Sequence, residues 1–217
     1  MKLTKEELKQ AMCLYAVTDS MWLNGRTLAD VAEEALQGGV TFLQIREKNL
    51  EPEKFEALAR EVQERAQKYH VPFVVNDEVE IAHKIDADGV HIGQSDMELA
   101  RARKLLGPDK LIGVSAQTVE QAVKAQQGGA DYLGVGAVFP TSTKADAAEV
   151  SYGELKAICE AVSIPVVAIG GIGANNVEEL KGSGIDGVAV VSAIFASGDI
   201  PAAARTLRRR AEKLKEL

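Results

Sequence analysis

Gln127-Gly128-Gly129-Ala130-Asp131-Tyr132-Leu133-Gly134-Val135-Gly136-Ala137-Val138-Phe139-Pro140-Thr141-Ser142-Thr143-Lys144 is one full unit of the pattern that decides the fold. A helical segment closes on two glycines, the residue type that tolerates the left-handed conformation ending a helix. An aspartate-containing turn leads into an apolar strand, and the strand runs on to a proline. Three hydroxyls and a lysine then fall in one short loop. Such a loop offers the donors and the positive charge that a bound phosphate needs.

The same order recurs along the chain. Helices close at Gln37-Gly38-Gly39 and Lys181-Gly182-Ser183-Gly184, and aspartate turns enter strands at Asp86-Ala87-Asp88-Gly89 and Ile185-Asp186-Gly187. Apolar runs predict strands over Leu14–Thr18, Thr41–Arg46, Phe73–Asn76, Gly89–Ile92, Leu111–Ser115, Tyr132–Val135, Val166–Ile169 and Gly187–Val191. Helical patterns lie between them, over Leu28–Gln37, Glu53–Lys68, Val79–His83, Met97–Leu106, Val119–Gln127, Tyr152–Ala161, Asn176–Lys181 and Pro201–Lys215. Eight strands alternating with eight helices predict a (β/α)8 TIM barrel, an α/β fold, over residues 1–217 as a single domain. Thr4 and Glu7 have the spacing of a capping box, which adds a short N-terminal helix. An open doubly wound sheet is the competing arrangement, and it usually needs fewer units.

Composition narrows the function classes. The chain has 217 residues, is 46% hydrophobic and 26% charged, and carries a formal charge of -7. An acidic protein of this kind argues against general nucleic-acid binding and against binding to anionic membranes. No long apolar span predicts a transmembrane helix, and charge interrupts any signal-peptide core at the N-terminus. Cys13 and Cys159 lie far apart, without metal-type spacing, as expected of buried thiols in a reducing compartment. These features predict a cytoplasmic protein.

In a barrel of this type the active site forms at the C-terminal ends of the strands, and the polar clusters of this sequence fall there. Gln44, Arg46 and Lys48 alternate with Ile45 and Glu47, so on an extended chain they face one side and can meet a polyanion. The competing reading is a solvated strand end with ion pairs to neighbours such as Glu47 or Glu51. Asn76-Asp77 ends the third predicted strand and Asp96 follows the fourth. Their carboxylates can share one divalent ion, and each can equally well cap the helix that follows. Gly170-Gly171-Ile172-Gly173 and Val191-Ser192 end the seventh and eighth strands, where barrels often bind phosphate through backbone N–H groups. His91, inside an apolar strand, reads more readily as a hydrogen-bonded core histidine than as a site residue. No nucleophile with a paired base stands out, so the chemistry reads as electrostatic and phosphate-handling.

The runs Leu14-Tyr15-Ala16-Val17-Thr18-Asp19, Gln44-Ile45-Arg46-Glu47-Lys48, Val75-Asn76-Asp77, Gly89-Val90-His91-Ile92-Gly93-Gln94-Ser95-Asp96-Met97, Gly113-Val114-Ser115-Ala116, Phe139-Pro140-Thr141-Ser142-Thr143-Lys144 and Ile169-Gly170-Gly171-Ile172 resemble, in order and content, those of the thiamine-phosphate synthase family. The resemblance covers nearly the whole chain. It implies a (β/α)8 transferase that joins a pyrimidine diphosphate to a thiazole phosphate, giving thiamine monophosphate and pyrophosphate. It implies one Mg²⁺ on Asp77 and Asp96, and the diphosphate on Arg46, Lys48, Asn76 and Lys144. Gln44 and Ser115 would lie near the pyrimidine, and Arg46, Lys48, Lys144 and Ser115 would carry the catalysis. The thiazole phosphate would rest against Thr141, Ser142, Thr143, Gly171, Val191 and Ser192.

Departing pyrophosphate brings about three negative charges and the two aspartates two more, which Arg46, Lys48, Lys144 and the ion match. The partners implied are small molecules, with no nucleic acid and no membrane. Two positions depart from the family pattern: Gln117 stands where many members have histidine, and Ala137 where proline is common. A related thiazole tautomerase and a non-catalytic binder of thiazole phosphate are the alternatives, and neither needs paired aspartates.

Overall fold

The computed structural model of the chain describes residues 3–48, 50–141 and 149–215. Eight parallel strands close into a barrel in sequence order: β1 (Leu14–Val17), β2 (Phe42–Ile45), β3 (Phe73–Asn76), β4 (Gly89–Ile92), β5 (Leu111–Ala116), β6 (Tyr132–Val135), β7 (Val166–Ile169) and β8 (Gly187–Val190). Before them lies α1 (Lys5–Ala11), opened by the Thr4–Glu7 capping box. The outer elements are α2 (Leu28–Gln37), α3 (Pro52–Lys68), α4 (Val79–Lys84), α5 (Leu99–Leu106), α6 (Val119–Gln127), α7 (Tyr152–Ala161), α8 (Ser192–Phe195) and α9 (Ile200–Glu212). The predicted TIM barrel is therefore the fold of this chain.

The strict alternation of strand and helix is broken after β7 and again after β8. The helix expected over Asn176–Lys181 is a single 3-10 turn, Val177–Leu180. The side chain of Asn176 is committed elsewhere: its Oδ1 accepts from the Gly173 N–H at 2.8 Å and its Nδ2 donates to the Gly171 carbonyl at 2.9 Å. With Gly182 at φ +82° close behind, no length remains for an α-helix. After β8 the reverse holds, and two helices, α8 and α9, follow one strand.

Side chains alternate between two cores. Leu14, Ala16, Leu43, Ile45, Phe73 and Val75 pack outward against the helices, as period-two strands covered on both faces should. Tyr15, Val17, Phe42, Val74, Tyr132, Val167 and Ala189 fill the barrel, and Leu8 and Met12, from α1 and its C-terminal cap, pack with them. Tyr15, Phe42 and Tyr132 meet at ring-centroid distances of 4.6 to 6.0 Å. Gly113 makes room for Tyr132, because a Cβ there would stand 2.1 Å from the ring.

The aspartate turns have a shared purpose at the foot of the barrel. Asp88, Asp131 and Asp186 each precede an even-numbered strand, and each accepts through Oδ2 from a backbone N–H of the preceding odd strand. The donors are Phe73 at 2.9 Å, Ile112 at 2.8 Å and Val166 at 3.0 Å. Thr41 does the same for the Leu14 N–H with its hydroxyl, at 2.8 Å. In all four places the residue returns its own N–H to the partner's carbonyl.

Asp88→Ala leaves the buried Phe73 N–H without this acceptor, and should destabilise the chain by about 1–3 kcal/mol. At this size that is a fall in Tm on the order of 5 °C. Thermal unfolding should also show Asp88→Asn, which keeps an acceptor oxygen, recovering most of the loss.

Candidate active site

A cavity of about 540 Å³ opens at the C-terminal ends of the strands. Every described residue proposed from the sequence for a site role lines it: Gln44, Arg46, Lys48, Asn76, Asp77, Asp96, Ser115, Thr141, Gly171, Val191 and Ser192. Ser142, Thr143 and Lys144 lie outside the described residues.

The strand phase explains the gathering. Inward positions on β2, β3, β4 and β5 place Gln44, Asn76, His91 and Ser115 one step above the aromatic layer. Adjacent registers confirm the level, with Asn76 opposite His91 and Ser115 opposite Gly134. Arg46 continues the β2 direction, its N–H bonded to the Thr18 hydroxyl at 3.1 Å. Its guanidinium pairs with Asp19 at 3.5 Å, both side chains less than a fifth exposed. Asp19 thus takes the ion pair the sequence had pointed toward Glu47 or Glu51, and Glu47 instead accepts from the Ser20 hydroxyl.

The two aspartates do not cap helices. α4 and α5 begin after Glu78 and Glu98, neither of which makes a side-chain cap bond. Asp96 turns back and accepts through Oδ2 from the Gly93 N–H at 2.6 Å. Asp77 extends the β3–β4 ladder by donating its N–H to the His91 carbonyl at 2.8 Å, and then leaves the strand at φ +61°. This unusual conformation for a residue with a side chain brings its carboxyl against Asp96.

The Asp77 carboxyl is pushed up to about 6, first by burial and next by the Asp96 carboxylate beside it. The Asn76 side chain and the Lys48 charge work the other way. Two carboxylates pressed together are a donor set for a hard cation. Among the described residues no cluster of three or more His, Cys, Asp or Glu is assembled. A pair alone suits Mg²⁺, which retains waters and takes further oxygens from a phosphate.

On the opposite wall, Gly170 at φ +99° and Gly171 at φ +65° form the turn held by Asn176. A Cβ on Gly171 would stand 2.5 Å from the Pro140 carbonyl, so only glycine lets this turn approach the loop after β6. Gln117 and Ala137, the two departures, both line the cavity, and the Gln117 amide donates to the Gly136 carbonyl at 3.4 Å.

Sequence reasoning missed Tyr15 as a cavity residue and undervalued His91. In the sequence Tyr15 is one more apolar strand residue, although its inward parity matches that of Gln44 on the neighbouring strand. His91 is hydrogen-bonded, as expected, and it also lines the cavity.

The family model described as thiamine monophosphate synthase matches residues 14–194. The chain is 50% identical over 195 residues to a thiamine-phosphate synthase of Clostridium novyi, covering 89% of this chain and 96% of that one. It is 50% identical over 194 residues to the synthase of Clostridium tetani, covering 89% and 93%. Among solved structures it superposes on a thiamine phosphate pyrophosphorylase from Pyrococcus furiosus with a TM-score of 0.89 and 37% identity, over 96% of this chain and 99% of that one.

Replacing Asp77 by asparagine removes one of two repelling charges and supplies a donor to Asp96. In the presence of EDTA the Tm of this variant should rise by about a degree or two, a small gain because the pair is partly solvated. A fall in Tm would mean that the carboxylates do not oppose each other.

Proposed function

The chain belongs to the thiamine monophosphate synthase family, and on that premise we propose how this cavity joins a pyrimidine-methyl diphosphate to a thiazole phosphate. The products are thiamine monophosphate and pyrophosphate. The observation that carries the reading is the Asp77–Asp96 pair, with the Lys48 charge acting on it, in a cavity that Arg46 also lines. Cations and a metal-type carboxylate pair in one place fit a diphosphate leaving group.

The C–O bond between the pyrimidine methylene and the diphosphate breaks with its electron pair leaving on pyrophosphate. The resulting cation is delocalised over the aminopyrimidine ring, and the lone pair of the thiazole nitrogen then forms the new C–N bond. No general base is required. Arg46 and Lys48 neutralise charge as it develops on the leaving group, with Lys144 assigned to the same task. Asp19 holds the Arg46 guanidinium in place between reactions. Asp77 and Asp96 would hold one Mg²⁺, which when bound neutralises diphosphate oxygens.

Asn76 lies next to the pair and orients the Asp77 carboxyl. Gln44 on β2 and Ser115 on β5 receive the pyrimidine. Thr141, Ser142, Thr143, Gly171, Val191 and Ser192 receive the thiazole phosphate, and the turn at Gly171 offers backbone to that end of the cavity. We take the whole chain as one barrel domain and place its work in the cytoplasm, where substrates of this charge are retained. A tautomerase or a simple binder would have no use for the aspartate pair.

Pyrophosphate release is the deciding measurement. It should require the pyrimidine diphosphate and Mg²⁺, and match thiamine phosphate formed when thiazole phosphate is present. Thiazole phosphate binding with no release under any combination would overturn the synthase reading. Arg46→Ala should lower kcat about 10²–10³-fold, as loss of one transition-state donor does. Normal turnover in that variant would remove Arg46 from the leaving-group role.

A further inference from the structure

A chain of hydrogen bonds crosses the barrel and connects two walls of the cavity. Gln44 Nε2 lies 2.6 Å from the Tyr15 hydroxyl, and that hydroxyl lies 2.9 Å from the Tyr132 hydroxyl. Tyr132 is 3.2 Å from His91 Nδ1, and His91 Nε2 is 3.0 Å from Ser115 Oγ. Five side chains from β2, β1, β6, β4 and β5 are thereby linked. Both ends, Gln44 and Ser115, line the cavity together with Tyr15 and His91, while Tyr132 is fully buried behind them.

The donor inventory gives this chain a direction. An amide nitrogen can only donate, so Tyr15 accepts from Gln44 and has its own proton to give. Tyr15 gives it to the Tyr132 oxygen, which turns the Tyr132 proton toward His91 Nδ1. An imidazole accepting at Nδ1 carries its proton on Nε2, and Nε2–H donates to Ser115 Oγ. Ser115 then accepts on its inner side, and its hydroxyl proton is turned toward the cavity. At the other end, the Gln44 amide oxygen is left as an acceptor. Burial holds both phenols above their usual range, so Tyr15 and Tyr132 keep their protons throughout the ordinary pH range.

We propose that Tyr15, Tyr132 and His91 are positioning residues that polarise Ser115 into a fixed donor, so that the cavity selects a heteroaromatic ring presenting a lone pair to Ser115. This rests on the assignment of Gln44 and Ser115 to the pyrimidine. Rings of the same shape that lack the acceptor nitrogen at that edge leave the Ser115 proton unpaired and are rejected. Tyr132 serves the site without touching the substrate. It carries the polarity of one wall to the other through the aromatic core.

Two measurements test this. The first needs no substrate: long-range 1H–15N spectra of the whole protein, with the His91 signals assigned by comparison with His91→Gln. Wild type should show Nε2 protonated and Nδ1 bare, and Tyr132→Phe should disturb that tautomer. A wild-type His91 protonated on Nδ1 would reverse the chain and overturn the proposal.

The second is kinetic. Tyr132→Phe and Tyr15→Phe should each raise the KM for the pyrimidine diphosphate about tenfold, the size expected for one hydrogen bond, and leave the thiazole phosphate KM within about twofold. Because both cut the same chain, the double variant should be no worse than the poorer single one. Equal rises in both KM values, or additive effects, would mark the phenols as structural only and overturn the proposal. Absence of synthase turnover in wild type would count against the proposed function, whereas the tautomer measurement judges the chain independently.

Discussion

Closure of this barrel depends on acceptors at its foot. Leu14, Phe73, Ile112 and Val166 are buried where the odd strands begin, and a buried N–H without a partner costs free energy comparable to a lost hydrogen bond. Thr41, Asp88, Asp131 and Asp186 meet the four donors with side-chain oxygens, one at the entrance of each even strand. The barrel is thus pinned four times, at every second strand, and the pinning sets the phase of all eight. Since a slip of one residue turns a strand inside out, the same bonds decide which side chains reach the cavity.

Strand phase then divides the interior into levels. The lower level is aromatic and apolar, closed beneath by Leu8 and Met12. The next inward position on several strands is polar: Gln44, Asn76, His91 and Ser115. The site is therefore the continuation of the core along the same strands, and Tyr15 and Tyr132 belong to both. Their rings pack with Phe42 while their hydroxyls form the middle of the polar chain. A phenol suits this boundary because it offers a large apolar body with one polar tip.

Much of this was legible in the sequence, for reasons that differ by residue. The bounds of β3, β4, β6 and β7 follow from apolar runs closed by turn residues, and those of α2, α6 and α7 from their helical periodicity. The described residues proposed for the site line the cavity because strand ends converge in any such barrel, and the family resemblance had named them. Three things were hidden. The Asp77 and Asp96 side chains looked equally like caps, and only the turn at Asp77 and the backward bond of Asp96 to Gly93 decide the matter. Asn176 looked like a helix start because its turn-holding bonds reach back to glycines already assigned to a loop. The Tyr15–Tyr132 bond joins residues 117 positions apart, so only the closed register of the barrel brings it into being.

Carboxylates at the two ends of the barrel obey opposite rules, and the contrast marks the site on physical grounds alone. At the foot, Asp88, Asp131 and Asp186 sit on backbone N–H groups, and Asp131 also pairs with Arg103. Each has protein partners for its charge, and its gain is realised on folding. At the mouth, Asp77 and Asp96 face each other, and although Asp96 also accepts from the Gly93 N–H, the folded chain holds a pair whose repulsion it relieves only in part through that bond, Asn76 and Lys48. Selection for stability alone would not retain such a pair, since one asparagine would ease it. A cation from outside the chain would remove the conflict, and the diphosphate proposed as substrate would bring oxygens to complete its shell. The strain at the mouth is tolerable because the foot is so fully partnered, which is how a marginally stable chain can keep a costly site.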